Sequence, residues 1–179
     1  MKGISIGGLG IGASGQVSGI SFGGLGIGAG EDLKGLSIGG LGVGSGKSVS
    51  GITVGGLGIG AGNEIKGLAV AIIGVGSPRI RGIVIAGAAG GNNINGLFIV
   101  PGYLQVGSRE TADLEVIMNG VSVSAFNHIR GVQKGMTIGI FNYANTQKGF
   151  QLGLLNYVKD NPKGLRLLPV FNMHFGKSD

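Results

Sequence analysis

The stretch GITVGGLGIGAGNEIK, residues 51–66, decides the fold. Ile52 and Val54 alternate with small or polar residues, and so do Leu57 and Ile59. An apolar residue at every second position is the signature of extended strand. A helix is excluded, because glycine and β-branched residues at this density are poor helix formers. Reading outward, the same pattern stands at Gly3 (GISIGGLGIGASGQVS), Gly19 (GISFGGLGIGAGEDLK) and Gly35 (GLSIGGLGVGSGKSVS), with a period of 16 residues. Looser copies begin at Gly67, Gly82 and Gly96, and further ones at Gly120, Gly135, Gly149 and Gly164. We count about eleven units of 14–16 residues in one all-β repeat domain spanning 1–179. It comprises glycine-rich repeats over 1–107, an insertion over 108–119 and a second kind of repeat over 120–175.

Each unit holds two apolar pairs, such as Ile4/Ile6 and Leu9/Ile11, and a polar loop with one apolar residue such as Val17, Leu33 or Val49. The pairs differ in parity, and the change falls at Gly7-Gly8 and its repeats. A straight strand would put the pairs on opposite faces. A bend at these glycines that turns both pairs inward is therefore expected. Three architectures supply it. In a β-solenoid, favoured here, each unit is one coil and like residues stack about 4.8 Å apart. In a closed ring of short β-hairpins, Gly7-Gly8 is a two-residue turn. In an antiparallel outer-membrane β-barrel, each unit is one bulged strand. Ser18 and Ser50 alternate with Lys34 and Lys66 before the unit-leading glycines, a 32-residue super-period that suits antiparallel strands and equally suits duplication of a pair of units. Leu167, Pro169, Phe171, Met173 and Phe175 alternate as a final barrel strand would.

Composition removes several classes. Glycine makes up 42 of 179 residues, without the every-third spacing and abundant proline of collagen. Cysteine is absent, so neither disulfides nor thiolate metal sites form. The mean hydropathy of +0.41 excludes a disordered linker. No apolar run is long enough for a membrane helix; Gly67–Val75 is too short. Met1 and Lys2 lead straight into patterned sequence, with no signal peptide in view. The net charge is +6, yet the basic residues are spread one or two per unit, with Glu31, Asp32, Glu64 and Asp160 among them. Solvated loops are expected rather than a nucleic-acid track.

The units GMTIGIFNYANTQKG and GFQLGLLNYVKDNPKG and the ending LLPVFNMHF resemble a family of bacterial surface-repeat proteins, whose units read roughly G-L-x-I-G-L-x-N-Y. The resemblance covers Gly135 to Phe175 closely, including Asn142, Tyr143, Asn156 and Tyr157. The glycine-rich first half resembles a variant of the same repeat. Members belong to diderm bacteria and are often exported or lipid-anchored. The resemblance therefore implies a location in the cell envelope or on its surface, and it brings no catalytic residue. This chain departs from it in lacking a signal sequence and a lipid-attachment cysteine.

Motifs that suggest chemistry dissolve on inspection. Gly42 to Ser48, GVGSGKS, has Leu41 where a phosphate loop needs glycine, and another repeat follows where a helix is required. Gly10 to Gly15 matches G-x-G-x-x-G, which glycine richness alone produces. His128 and His174 lack nearby acidic partners. His128 is expected on an inward position beside Phe126. Ser5, Ser21, Ser37 and Thr53 are expected to form a ladder on the face opposite the core. Glu110, Asp113 and Glu115 read as a solvated loop. Asn127, Asn142 and Asn156 recur at one place and can bond along a ladder. No cofactor, metal or catalytic residue is expected. The candidate interaction face is the bare stripe of Gly8, Gly10, Gly12, Gly24, Gly26, Gly28, Gly40, Gly42, Gly44, Gly56, Gly58 and Gly60, since repeated glycine on a strand marks a close approach. The expected function is a non-catalytic envelope scaffold, structural or binding, that self-associates or meets an envelope surface through this face. The alternative is a membrane barrel forming a pore or a passage for apolar solutes.

Overall fold

A computed structural model describes residues 1–108 and 115–174. The chain is all-β, with parallel strands stacked as a β-solenoid of about seven turns. It divides into two compact units, Met1–Gly87 and Ala88–Asp179.

In the first unit each coil has a long and a short strand. The long strands are β1 (Lys2–Gly7), β3 (Val17–Gly23), β5 (Asp32–Gly39), β7 (Ser48–Gly55), β9 (Glu64–Ala71) and β11 (Arg79–Ile85). The short ones are β2 (Gly10–Ala13), β4 (Gly26–Ala29), β6 (Gly42–Ser45), β8 (Gly58–Ala61) and β10 (Gly74–Gly76). Each set pairs in parallel, in register, one coil on the next: Ile20 meets Leu36, Gly42 meets Gly58. The corners stack as well, since Leu41 N–H donates to Leu25 O (2.6 Å) and Asn63 N–H to Lys47 O (2.8 Å). Consecutive units pair in parallel, so neither the hairpin ring nor the antiparallel barrel is formed.

The expected parity break does not occur. Val17, Ser21 and Gly23 on β3 and Ile27 and Ala29 on β4 are all buried, so one parity faces inward on both strands that flank the Gly23-Gly24 corner, although Leu25 between them turns outward. What changes sides is the chemistry. On the short strands the aliphatics Ile11, Ile27, Val43, Ile59 and Val75 point inward. On the long strands the expected inward columns, Ile4-Ile20-Leu36-Ile52-Leu68-Ile83 and Ile6-Phe22-Ile38-Val54-Val70-Ile85, lie outside. Leu9, Leu25, Leu41 and Leu57 are exposed at the corner. The serine ladder is correspondingly inside, with Ser21, Ser37 and Thr53 buried. Small residues there leave room for the opposite strand: a Cβ on Gly39 would stand 3.0 Å from Val43 Cγ2. Leu33, Val49, Ile65 and Ile80 complete this dry core.

The serine–lysine alternation has a parallel-sheet explanation. Lys2, Ser18, Lys34, Ser50 and Lys66 form one outward column. Interposed serines keep the ammonium groups two rungs, about 10 Å, apart, and directly stacked like charges are unfavourable. Where Lys66 meets Arg81, Arg81 is paired with Glu64 at 3.3 Å.

The second unit contains β12 (Ala88–Gly91), β13 (Asn93–Val106), β14 (Ile117–Val158), a 3-10 turn (Lys163–Leu165) and β15 (Leu167–His174). β13 and β14 stay in strand geometry through the bends, so β14 alone winds through the units led by Gly120, Gly135 and Gly149. Its core is polar. Asn127 Nδ2 donates to Asn142 Oδ1, and Asn142 Nδ2 to Asn156 Oδ1, both at 2.8 Å. Gln151 donates to Gln133 at 2.8 Å. Burial of so many amides is tolerable because most of their polar atoms satisfy one another and the backbone, with Gln147 Oε1 and Gln151 Oε1 left without a partner among the described residues. β15 runs antiparallel to β14 and closes the ladder: its Leu168 carbonyl accepts from Asn156, and its Asn172 carbonyl from Gln147. Leu167, Phe171 and Met173 thus belong to a capping strand and remain half exposed; Phe175 lies outside the described residues.

Glycine has two separate causes here. Gly51 has φ +109°, and a Cβ on it would overlap the Gly35 carbonyl. Gly60 has no such restriction, and a Cβ there would meet nothing within 4 Å. We expect Gly51→Ala to cost about 2 kcal/mol or more, and Gly60→Ala to be neutral or to stabilise by up to about 1 kcal/mol, in urea denaturation.

Candidate functional site

The predicted glycine face is an outward surface of the first unit. Gly10, Gly26, Gly42, Gly58 and Gly74 form one column and Gly12, Gly28, Gly44, Gly60 and Gly76 another. They alternate with the inward Ile11 series, which is why the short strands carry no outward side chains. The two columns differ. A Cβ on Gly26 would lie 3.0 Å from the Gly42 carbonyl oxygen, a close fit. Along Gly12, Gly28, Gly44, Gly60 and Gly76 it would meet open space. The remaining members, Gly8, Gly24, Gly40 and Gly56, sit at the corner rather than on the flat strand. There a Cβ on Gly24, Gly40 or Gly56 would overlap the carbonyl of the preceding coil.

At the equivalent places the second unit carries rings. Asn127 points inward, so its neighbours Phe126 and His128 point out, as Tyr143 does beside Asn142 and Tyr157 beside Asn156. Tyr103 pairs in register with Phe126, and Gln105 with His128. Tyr103, Phe126, His128 and Tyr143 line a groove of about 710 Å³ that also includes Arg130, Phe141 and Asn145. Tyr143 and Tyr157 stack with centroids 5.4 Å apart and planes 5° apart. His128 stands edge-on to Tyr143 at 4.9 Å.

The hydrogen bonds fix the imidazole's tautomer. Arg130 Nε lies 3.3 Å from His128 Nε2, and a guanidinium only donates, so Nε2 accepts. The ring proton is then on Nδ1, which lies 2.9 Å from Tyr103 Oη and donates to it. The Tyr103 hydroxyl proton is left to donate elsewhere. Tyr143 Oη donates to Asn145 Oδ1 at 3.0 Å. Burial, and secondarily the charge of Arg130, hold the His128 pKa below its ordinary value.

The sequence expectation for His128 needs correction: it is a half-buried outer-face residue, because inward positions go to the asparagines. Arg130 and Tyr103 were not singled out in the sequence. Arg130 stands two residues along the same strand on the same face, while Tyr103, 25 residues away, meets His128 only through coil stacking. Lys47 of the phosphate-loop look-alike pairs with Glu31 at 2.8 Å in an exposed turn followed by β7. His174 is exposed on β15, and among the described residues no three histidine or acidic side chains cluster to hold a metal. Glu110 and Asp113 lie outside the described residues; Glu115 is exposed.

No family model, curated protein or solved structure matches the chain.

We expect nitrogen-detected NMR to find His128 as the Nδ1–H tautomer at neutral pH, titrating below the free-imidazole range. A depressed pKa means that the neutral ring is favoured by folding. Its contribution is then complete above about pH 6.5. It is lost as pH falls through the folded value, and His128→Gln should flatten that dependence.

Proposed function

We propose that this chain is a non-catalytic repeat protein of the bacterial cell envelope, acting as a structural or binding scaffold through its flat glycine face. One observation carries the reading. Gly12, Gly28, Gly44, Gly60 and Gly76 have no positive φ and no neighbour that would exclude a side chain. Glycine also weakens a strand relative to residues with a Cβ. A row of five that the chain's own folding does not require is explained by a partner that reaches the backbone itself, and only a flat partner can do so along successive rungs. The resemblance of residues 135–175 to surface-repeat units supports the envelope location. The variant carrying Gly28→Lys, Gly44→Lys and Gly60→Lys should fold, since the added side chains meet open space. It should lose self-association in sedimentation and adsorption to envelope fragments. Wild-type behaviour in both would remove the reading.

A second reading has its own support. The outward columns from Ile4 to Ile83 and from Ile6 to Ile85 make an apolar face about 24 Å tall at the strand spacing. Contiguous apolar patches of this kind mark contact surfaces. The Lys2-Lys34-Lys66-Arg81 column borders it, and this combination of apolar face and basic rim fits the surface of an anionic bilayer. Flotation with anionic but not zwitterionic vesicles, abolished by Ile52→Glu with Ile83→Glu, is the expected result. Absence of flotation with either vesicle would discard it.

A further inference from the structure

We propose that the groove formed by Tyr103, Phe126, His128, Arg130 and Tyr143 binds a sugar ring bearing one acidic group, such as a uronic acid within a polysaccharide. This inference concerns the second unit alone and does not rest on the glycine face. The volume, about 710 Å³, suits one or two sugar rings. The lining mixes ring faces with directional polar groups. Phe126 and Tyr103 are 49% and 38% exposed, so flat apolar surface is available to the C–H face of a pyranose. Next to it stand the Tyr103 hydroxyl, whose proton has no acceptor among the described residues once His128 donates to its oxygen, and the Asn145 amide. These positions are set before a ligand arrives, because His128 is held from both sides by Tyr103 and Arg130. Preorganised groups lose little entropy on binding.

The charge argues for an acid. Among the described residues no carboxylate lies within ion-pair distance of Arg130. Its Nε is used by His128, which leaves the terminal nitrogens to face a carboxylate in a charge-assisted bond. The same count argues against nucleic acid. Single-strand binding also uses aromatic stacking, but it needs a cationic track along successive phosphates. Arg130 is the one cation lining this groove among the described residues, and the corresponding position of the next coil is Asn145. A single acidic group on a ring matches a single guanidinium among aromatic faces.

The test is titration of the full chain with an oligogalacturonate, a neutral maltooligosaccharide and a single-stranded oligonucleotide, followed through the His128 and tyrosine resonances and by calorimetry. The uronate should bind, with the neutral sugar weaker. Arg130→Gln should weaken uronate binding roughly tenfold and remove the preference for acid, with Arg130→Lys intermediate. Tyr103→Phe should weaken both sugars. The variant carrying Gly28→Lys, Gly44→Lys and Gly60→Lys should bind uronate as wild type does, which separates this site from the glycine face. Urea midpoints matching wild type establish that the variants fold. The proposal is overturned by no response to uronate at millimolar concentration, by equal affinity for neutral and acidic sugars, by Arg130→Gln binding at wild-type strength, or by tighter binding of the oligonucleotide.

Discussion

Parallel, in-register stacking is the constraint on which the rest of this molecule depends. Every residue in a coil lies about 4.8 Å from its own counterpart in the next. A side chain is therefore acceptable only if it tolerates, or gains from, a copy of itself directly above. Aliphatic residues pass this test by packing. Amides pass it by bonding, Asn127 to Asn142 to Asn156. Repeated cations fail it, and the outward lysine column is interrupted by Ser18 and Ser50. Gly51 is another consequence, since the carbonyl of the coil below occupies the place of its Cβ.

Both units bury aliphatic side chains, but they fill the rest of the interior differently. The first sets Ile27, Val43 and Ile59 against Ser37, Thr53 and glycine, a dry core in which small residues on one strand admit large ones on the other. The second buries Asn127, Gln133, Asn142, Gln147, Gln151 and Asn156 beside Phe98, Leu104, Met118 and Ile129. An amide column gains directional bonds at every rung, and its final member must still find a partner. The antiparallel β15 provides it with the Leu168 carbonyl. The outer surfaces then follow from the inner ones. Where Ile27 faces in, its neighbours Gly26 and Gly28 face out. Where Asn127 faces in, Phe126 and His128 face out.

The candidate groove was only partly legible. Asn142-Tyr143 and Asn156-Tyr157 repeat visibly, so one asparagine column and the ring beside it could be read from spacing. Tyr103 could not be attached to them, because the residues between Val106 and Ile117 break the period and hide the register that places Tyr103 against Phe126. Arg130 carries no sequence signal of its own; its role comes from standing 3.3 Å from an imidazole nitrogen.

By itself the sequence determined the strands, the repeat and its length, because these depend on local periodicity and on glycine at fixed intervals; it favoured the stacking of like on like, but a hairpin ring or an antiparallel barrel fits the same periodicity. It also marked the bare glycine stripe. Which side of each strand meets the core was decided only by tertiary structure. A period of two distinguishes two faces without saying which is inside. Hydrophobicity suggested that Ile4, Ile6 and their repeats were buried, but the interior between two closely spaced strands has room for only one strand's large side chains. Ile11, Ile27 and Val43 take that room, so serine and glycine face them and the long-strand aliphatics are left outside.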